Sequence, residues 1–94
     1  MGYSIIPSTT FKKSLKKYLK NPSKKEAIKT VIDLLAENGY KSIPAKMIPH
    51  KLKGNYKGCW ECHIQPDLLL IWEQEEEPEQ EILLIDIGSH SDLF

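Results

Sequence analysis

The chain has 94 residues, 40% of them hydrophobic, which suits a single core and leaves too little chain for two. No run approaches the ~18 apolar residues of a membrane span. Met1-Gly2-Tyr3-Ser4-Ile5-Ile6-Pro7 lacks the basic and apolar regions of a secretion signal, so the expectation is one cytoplasmic domain, residues 1–94, without a membrane. Net charge is zero, but residues 1–58 hold all 13 lysines against Glu26, Asp33 and Glu37, for +10, and residues 59–94 hold ten acids and no lysine, for −10. There is no arginine. A basic half fits phosphate or an acidic partner, and it equally fits a solvated lysine-rich helix surface.

Residues 3–6 read as a short strand ended by Pro7. Ser8, Thr9 or Thr10 can cap a helix running to about Lys20, with Phe11, Leu15, Tyr18 and Leu19 on one stripe. Asn21 as cap and Pro22 at the first helical position start a second helix, which turns Ile28, Val31, Ile32 and Leu35 inward and stops near Asn38-Gly39. Residues 40–49, with Pro44 and Pro49, read as an irregular connector. Three strands follow: Trp60 to Ile64, Leu68 to Glu73 and Glu81 to Ile87. They are joined by a turn at Gln65-Pro66-Asp67 and by an acidic, solvated loop over residues 75–80. The order β-α-α-β-β-β predicts an α+β domain, a helical hairpin packed on an antiparallel sheet, closed by a short C-terminal tail or helical turn.

Hairpin geometry then places the polar residues. The 65–67 turn sets residue 63 opposite 69, and the acidic loop sets 68 near 88, with Asp67 near Ser89 and His90. His63, Asp67 and His90 gather at one end of the sheet, away from the acidic loop. Each alone has a structural explanation: a histidine on a strand is commonly a surface or hydrogen-bonded core residue, and an aspartate after proline is a common turn residue. Together they make an acid–base site, since imidazole titrates near neutral pH.

A family resemblance appears in the second half. His50-Lys51-Leu52-Lys53-Gly54, Tyr56-Lys57-Gly58, Cys62-His63-Ile64-Gln65-Pro66-Asp67 and Gly88-Ser89-His90-Ser91-Asp92-Leu93-Phe94 stand in the order of a YafQ-type signature. The chain therefore resembles the YafQ branch of the RelE/ParE superfamily of toxins. The resemblance implies an mRNA endoribonuclease that inhibits translation, alone or on the ribosome, and is held inactive by a cognate antitoxin. Operator DNA would be contacted only through that complex. The implied chemistry needs no metal and no cofactor. A base takes the proton of a ribose 2′-OH, the oxygen attacks the adjacent phosphate, an acid protonates the leaving 5′-oxygen, and cations stabilise the phosphorane charge. By motif position the resemblance assigns His50, His63, Asp67 and His90 to catalysis and Phe94 to RNA contact. Lys51, Lys53 and Lys57 can offer positive charge. Which group is acid and which is base stays open, with His63 or His50 in the acid–base set, Asp67 orienting or accepting, and His90 the acid or a phosphate contact.

One position departs from the family pattern. Asp86 stands where relatives carry an arginine facing the scissile phosphate, and no arginine elsewhere can replace its bidentate fork. Leu68 also follows Asp67 where some relatives carry tryptophan. The departure predicts weakened cleavage and keeps a second reading alive, a degenerate toxin whose remaining work is to hold an antitoxin in a repressor complex. Lys12, Lys13, Lys16, Lys17 and Lys20 are further candidates for ribosomal RNA or an acidic antitoxin. Cys59-Trp60-Glu61-Cys62-His63 matches the haem-attachment pattern. On a strand, however, the two cysteines would face opposite sides, which counts against haem and zinc alike.

Overall fold

The computed structural model describes residues 2–94; Met1, part of the stretch read above for a secretion signal, lies outside the described residues. Strand β1 (Ser4–Pro7) leads into helix α1 (Thr9–Leu15), and helix α2 (Pro22–Asn38) returns antiparallel to it. The rest of the chain supplies β2 (His50–Lys51), β3 (Trp60–Gln65), β4 (Leu68–Glu75), β5 (Glu81–Gly88) and a one-turn helix α3 (His90–Leu93). The strands form one sheet in the order β1-β5-β4-β3-β2. The hairpin β3-β4-β5 and the edge β2 are antiparallel, while β1 lies parallel to β5 because α1 and α2 intervene between β1 and the later strands. No helix among the described residues is long and apolar enough to cross a membrane.

The helix starts follow their cap residues. Ser8 accepts the Phe11 N–H at 3.0 Å and donates to Ile85 O at 2.9 Å, so the cap also ties α1 to the sheet. Asn21 accepts the Lys24 N–H at 3.1 Å, with Pro22 beside it. Helix α1 is shorter than the apolar stripe predicts: after Leu15 it tightens into a 3-10 turn over Lys16–Tyr18. Proline disfavours helical backbone at the residue before it, and Asn21 N–H instead closes onto Tyr18 O at 3.1 Å. Leu19 is left 46% exposed rather than joining the core. Helix α2 stops at Gly39, whose φ of +61° suits glycine, and whose added Cβ would sit 2.6 Å from the Gln74 amide.

The α+β class and the helical hairpin stand, with two additions. Strand β1, expected from residues 3–6, joins the sheet parallel to β5 rather than antiparallel, and the sheet gains a two-residue edge strand β2, too short to leave a period in the sequence. A second, smaller core also covers the face away from the helices. The main core packs Phe11, Ile28, Val31 and Leu35 against Cys62, Leu70, Trp72, Ile82 and Leu84. On the other face Cys59, Leu69, Ile71 and Leu93 cluster with Leu52 and Tyr56. This explains why Leu68 to Trp72 run without a polar residue, since β4 is buried on both sides. The second core fixes the tail and the 52–59 loop, and with them the polar residues of that face.

Candidate active site

Strand alternation puts Glu61 and His63 of β3 on the face opposite α1 and α2. His50 lies across from Glu61 on β2, and His63 pairs with Leu69. At the start of β4, Leu69 pairs with Gly88, which delivers the tail to the 65–67 turn. Gly88 is needed there, because a Cβ would meet Asp92 Cβ at 3.0 Å. Ser89 and Asp92 then close a capping box, with Ser89 Oγ accepting from Asp92 N at 3.2 Å and Asp92 accepting from Ser89 N at 3.3 Å. Those bonds, the Ser89 backbone N–H foremost, hold the Asp92 carboxyl below its usual range, and Lys17 Nζ adds to it at 3.7 Å.

The result is a row of three imidazoles. The His50 and His63 ring centroids are 6.4 Å apart and those of His63 and His90 are 5.7 Å apart. A carboxylate stands at each end. Asp67 accepts from the His90 backbone N–H at 3.0 Å and from its Nδ1 at 2.9 Å. These bonds, the backbone one first, hold the exposed Asp67 carboxyl below its ordinary value. With Nδ1 engaged, Nε2 is the His90 ring nitrogen left without a hydrogen-bond partner among the described residues. At the other end His50 Nδ1 donates to Ile48 O at 2.7 Å, and Nε2 faces Glu61 Oε1 at 3.3 Å. His63 lies between the two, and among the described residues nothing hydrogen-bonds its ring.

Glu61 is the residue that sequence reasoning missed. Its side chain is only 5% exposed, and its Oε2 has no hydrogen-bond partner among the described residues. A buried acceptor without a partner is rare, and it points to function more than to stability. The available signal was a carboxylate two residues before His63, on the same strand face. It is hidden in the sequence because β2, the strand that sets His50 against it, is too short to leave a period.

The other sequence candidates divide. Phe94 is 64% exposed and leans edge-on against Tyr56, with centroids 5.6 Å apart, at the tail end of the site. Lys53 and Lys57 line a cleft with Leu52 and Gly58, beside the second core. Lys51 borders the same cleft, but its Nζ lies 5.7 Å from the Trp60 ring, on the helix side of the sheet, so it is not brought to the histidines. Asp86 accepts from Ser14 Oγ at 2.6 Å and from Ile87 N at 2.8 Å, which ties β5 to α1. Leu68 is buried in the main core rather than exposed beside Asp67. Cys62 is buried in the main core and Cys59 in the second, so the sheet separates them and one ion or haem could not engage both. Burial, reinforced by Glu61, pushes the Cys62 thiol up to about 12.

The architecture is a helical hairpin on a five-stranded sheet, with a polar row beside a docked tail. The YoeB/ParE toxin from Agrobacterium tumefaciens has the same fold, at TM-score 0.76 and 16% identity over 93% of this chain and 98% of that one. The family model described as the bacterial toxin of type II toxin–antitoxin system, YafQ, matches residues 3–94, and the chain belongs to that family. YafQ from E. coli strain BL21(DE3) is similar at TM-score 0.85 and 26% identity, with 98% of each chain covered. The E. coli DinJ-YafQ toxin–antitoxin complex matches at TM-score 0.83 and 26% identity, covering 100% of this chain and 99% of that one. A metal-bound toxin from Helicobacter pylori is 34% identical, with TM-score 0.80 over 98% and 99%. Compared by sequence with curated proteins, the chain has no match.

Proposed function

We propose that this toxin cleaves mRNA by metal-independent transfer of the phosphate to the 2′-oxygen, and so arrests translation. The observation that carries the proposal is the row His50, His63 and His90, with Glu61 and Asp67 at its two ends. A phosphodiester laid across the row meets imidazole on both sides, which is what in-line displacement needs. The His63 ring, free of other bonds, takes the 2′-OH proton, with the His50–Glu61 pair beside it holding the charge that develops. His90, held by Asp67 through Nδ1, presents Nε2 to the leaving 5′-oxygen and gives it a proton. Atoms and protons then balance: one P–O bond forms, one breaks, and the ends are a 2′,3′-cyclic phosphate and a 5′-OH. Phe94 stacks on a base, which every nucleobase permits. Lys53 and Lys57 supply positive charge near the strand, and Lys51 attracts it from farther away.

The E. coli relative crystallised with DinJ supports a cognate antitoxin as the partner here. Operator DNA, in this proposal, is met only through that complex. The ribosome, with its mRNA, is the setting we propose for cleavage, in the cytoplasm. Asp86 favours a second reading, a toxin of reduced activity that chiefly binds its antitoxin. An anion there gives the phosphate none of the help that an arginine would give.

The two readings separate on induced expression. An active nuclease arrests growth and leaves cut mRNA, and both effects vanish in His90→Ala or on co-expression of the antitoxin. Growth unaffected by the wild-type chain overturns the nuclease reading.

A further inference from the structure

Beside His63 lies a cavity of about 360 Å³ bordered by Lys46, Met47, Ile48, Gln65 and Pro66. It exists because β2 ends at His50. Pro49 has no N–H with which to extend the ladder along β3, and Ile48 turns the chain away with φ +52° and ψ 59°. Its volume falls in the ~300–1,000 Å³ range of small-molecule clefts.

Ile48 is out of place by the rules of folding. A β-branched residue in the left-handed region is strained, and asparagine or glycine would adopt that backbone more readily. Its side chain does not repay the strain through burial, being 56% exposed. The bond from His50 Nδ1 uses only the Ile48 carbonyl, which any residue would supply. An apolar side chain kept in a strained turn, at the mouth of a cavity that shares His63 with the imidazole row, points to a use outside the fold.

We infer that this cavity is a nucleobase subsite for the nucleotide on one side of the scissile phosphate. The inference rests on the nuclease reading and names where its substrate is gripped. Ile48, Met47 and Pro66 offer apolar surface to the flat faces of a base. Gln65 offers an amide donor and acceptor to its polar edge, and Lys46 at the rim meets the backbone phosphate. His63 borders this subsite and faces His90, which opens the tail that carries Phe94, so the strand is gripped by a base on each side of the bond to be broken.

The test measures binding of a 2′-O-methylated RNA tetranucleotide, which lacks the attacking hydroxyl, and of four versions each abasic at one position. Wild type loses about tenfold in affinity at the position that fills the subsite. Ile48→Asn relieves the backbone strain, so it melts no lower than wild type. It binds the intact oligonucleotide about tenfold more weakly and loses nothing further at that one abasic position. Lys46→Ala weakens intact and abasic oligonucleotides alike and flattens the salt dependence. Ile48→Asn binding every oligonucleotide as wild type does, or the abasic loss persisting in full in that variant, overturns the subsite. Cleavage of unmodified RNA run alongside keeps the two readings apart. Loss of cleavage in His90→Ala with normal binding by Ile48→Asn sinks the subsite alone. No cleavage of unmodified RNA by wild type, with the abasic loss absorbed by Ile48→Asn, sinks the nuclease reading alone.

Discussion

Replacing Glu61 by leucine should make the protein more stable and less active at once. The Glu61 side chain is 5% exposed, and Oε2 has no partner, so the native state carries a desolvated acceptor. Leaving such a group unsatisfied costs about 1–3 kcal/mol. The contact of Oε1 with His50 at 3.3 Å returns little, because the His50 side chain is 41% exposed and water competes for it. Leucine fills a similar volume next to Ile71, its cross-strand neighbour, and has no polar atom to satisfy. The net gain is about 1–2 kcal/mol, which in a domain of this size raises Tm by about 4–16 °C. The same change leaves His50 without its carboxylate, and cleavage should fall by about 10²-fold or more. Thermal melting by circular dichroism reads the first quantity, and single-turnover cleavage of a labelled RNA, free or on a programmed ribosome, reads the second. A Tm below wild type, or undiminished cleavage, refutes the reasoning that Glu61 is held in the core for function at the expense of stability.

Three further outcomes follow from the same geometry. Asp67 binds the tail through a carboxyl held below its usual range, so this contribution is full above the unfolded value and is lost only as pH falls through the lower folded one. Its side-chain carboxyl resonance should therefore titrate with a midpoint below 3.8, and a midpoint at or above that contradicts the bonds from His90. Asp86→Asn keeps an oxygen for Ser14 while removing an anion, so cleavage should rise a few-fold with Tm nearly unchanged; a fall in cleavage would show that the charge itself serves the reaction. Burial keeps both cysteine thiols above their ordinary range, Cys62 at about 12, so iodoacetamide should label neither in the native state at pH 8 and both after unfolding.

Much of this architecture was legible because local chemistry and global fold agree. Asn21-Pro22 and Asn38-Gly39 bracket α2 by cap and stop signals that act within a few residues. The Gln65-Pro66-Asp67 turn sets His63 against Leu69 by counting alone. Once that hairpin is right, His90 must fall near Asp67, because β5 can return only to the end from which β4 began. What stayed illegible depends on contacts distant in sequence. β2 is two residues long and owes its place to β3, so His50 entered by motif rather than by geometry, and Glu61 behind it was not seen. Helix α1 ends early because Asn21 closes onto Tyr18, a tertiary detail beneath a continuous apolar stripe. Lys51 and His50 are neighbours in the chain, yet strand alternation sends them to opposite faces, and a motif read as a string does not record that. In the sequence Asp86 is a bare anion, because its bond to Ser14 spans 72 positions.

The account turns on whether the imidazole row breaks RNA through its 2′-oxygen. Purified toxin is given an RNA in buffer with EDTA, or a programmed ribosome in magnesium buffer, and the chemistry of the new ends is read by mass spectrometry for wild type and His90→Ala. The prediction is a 2′,3′-cyclic phosphate and a 5′-OH from the wild type, with the rate reduced about 10²–10⁴-fold in the variant. Ends bearing a 3′-OH and a 5′-phosphate, or equal rates from the two proteins, would contradict it.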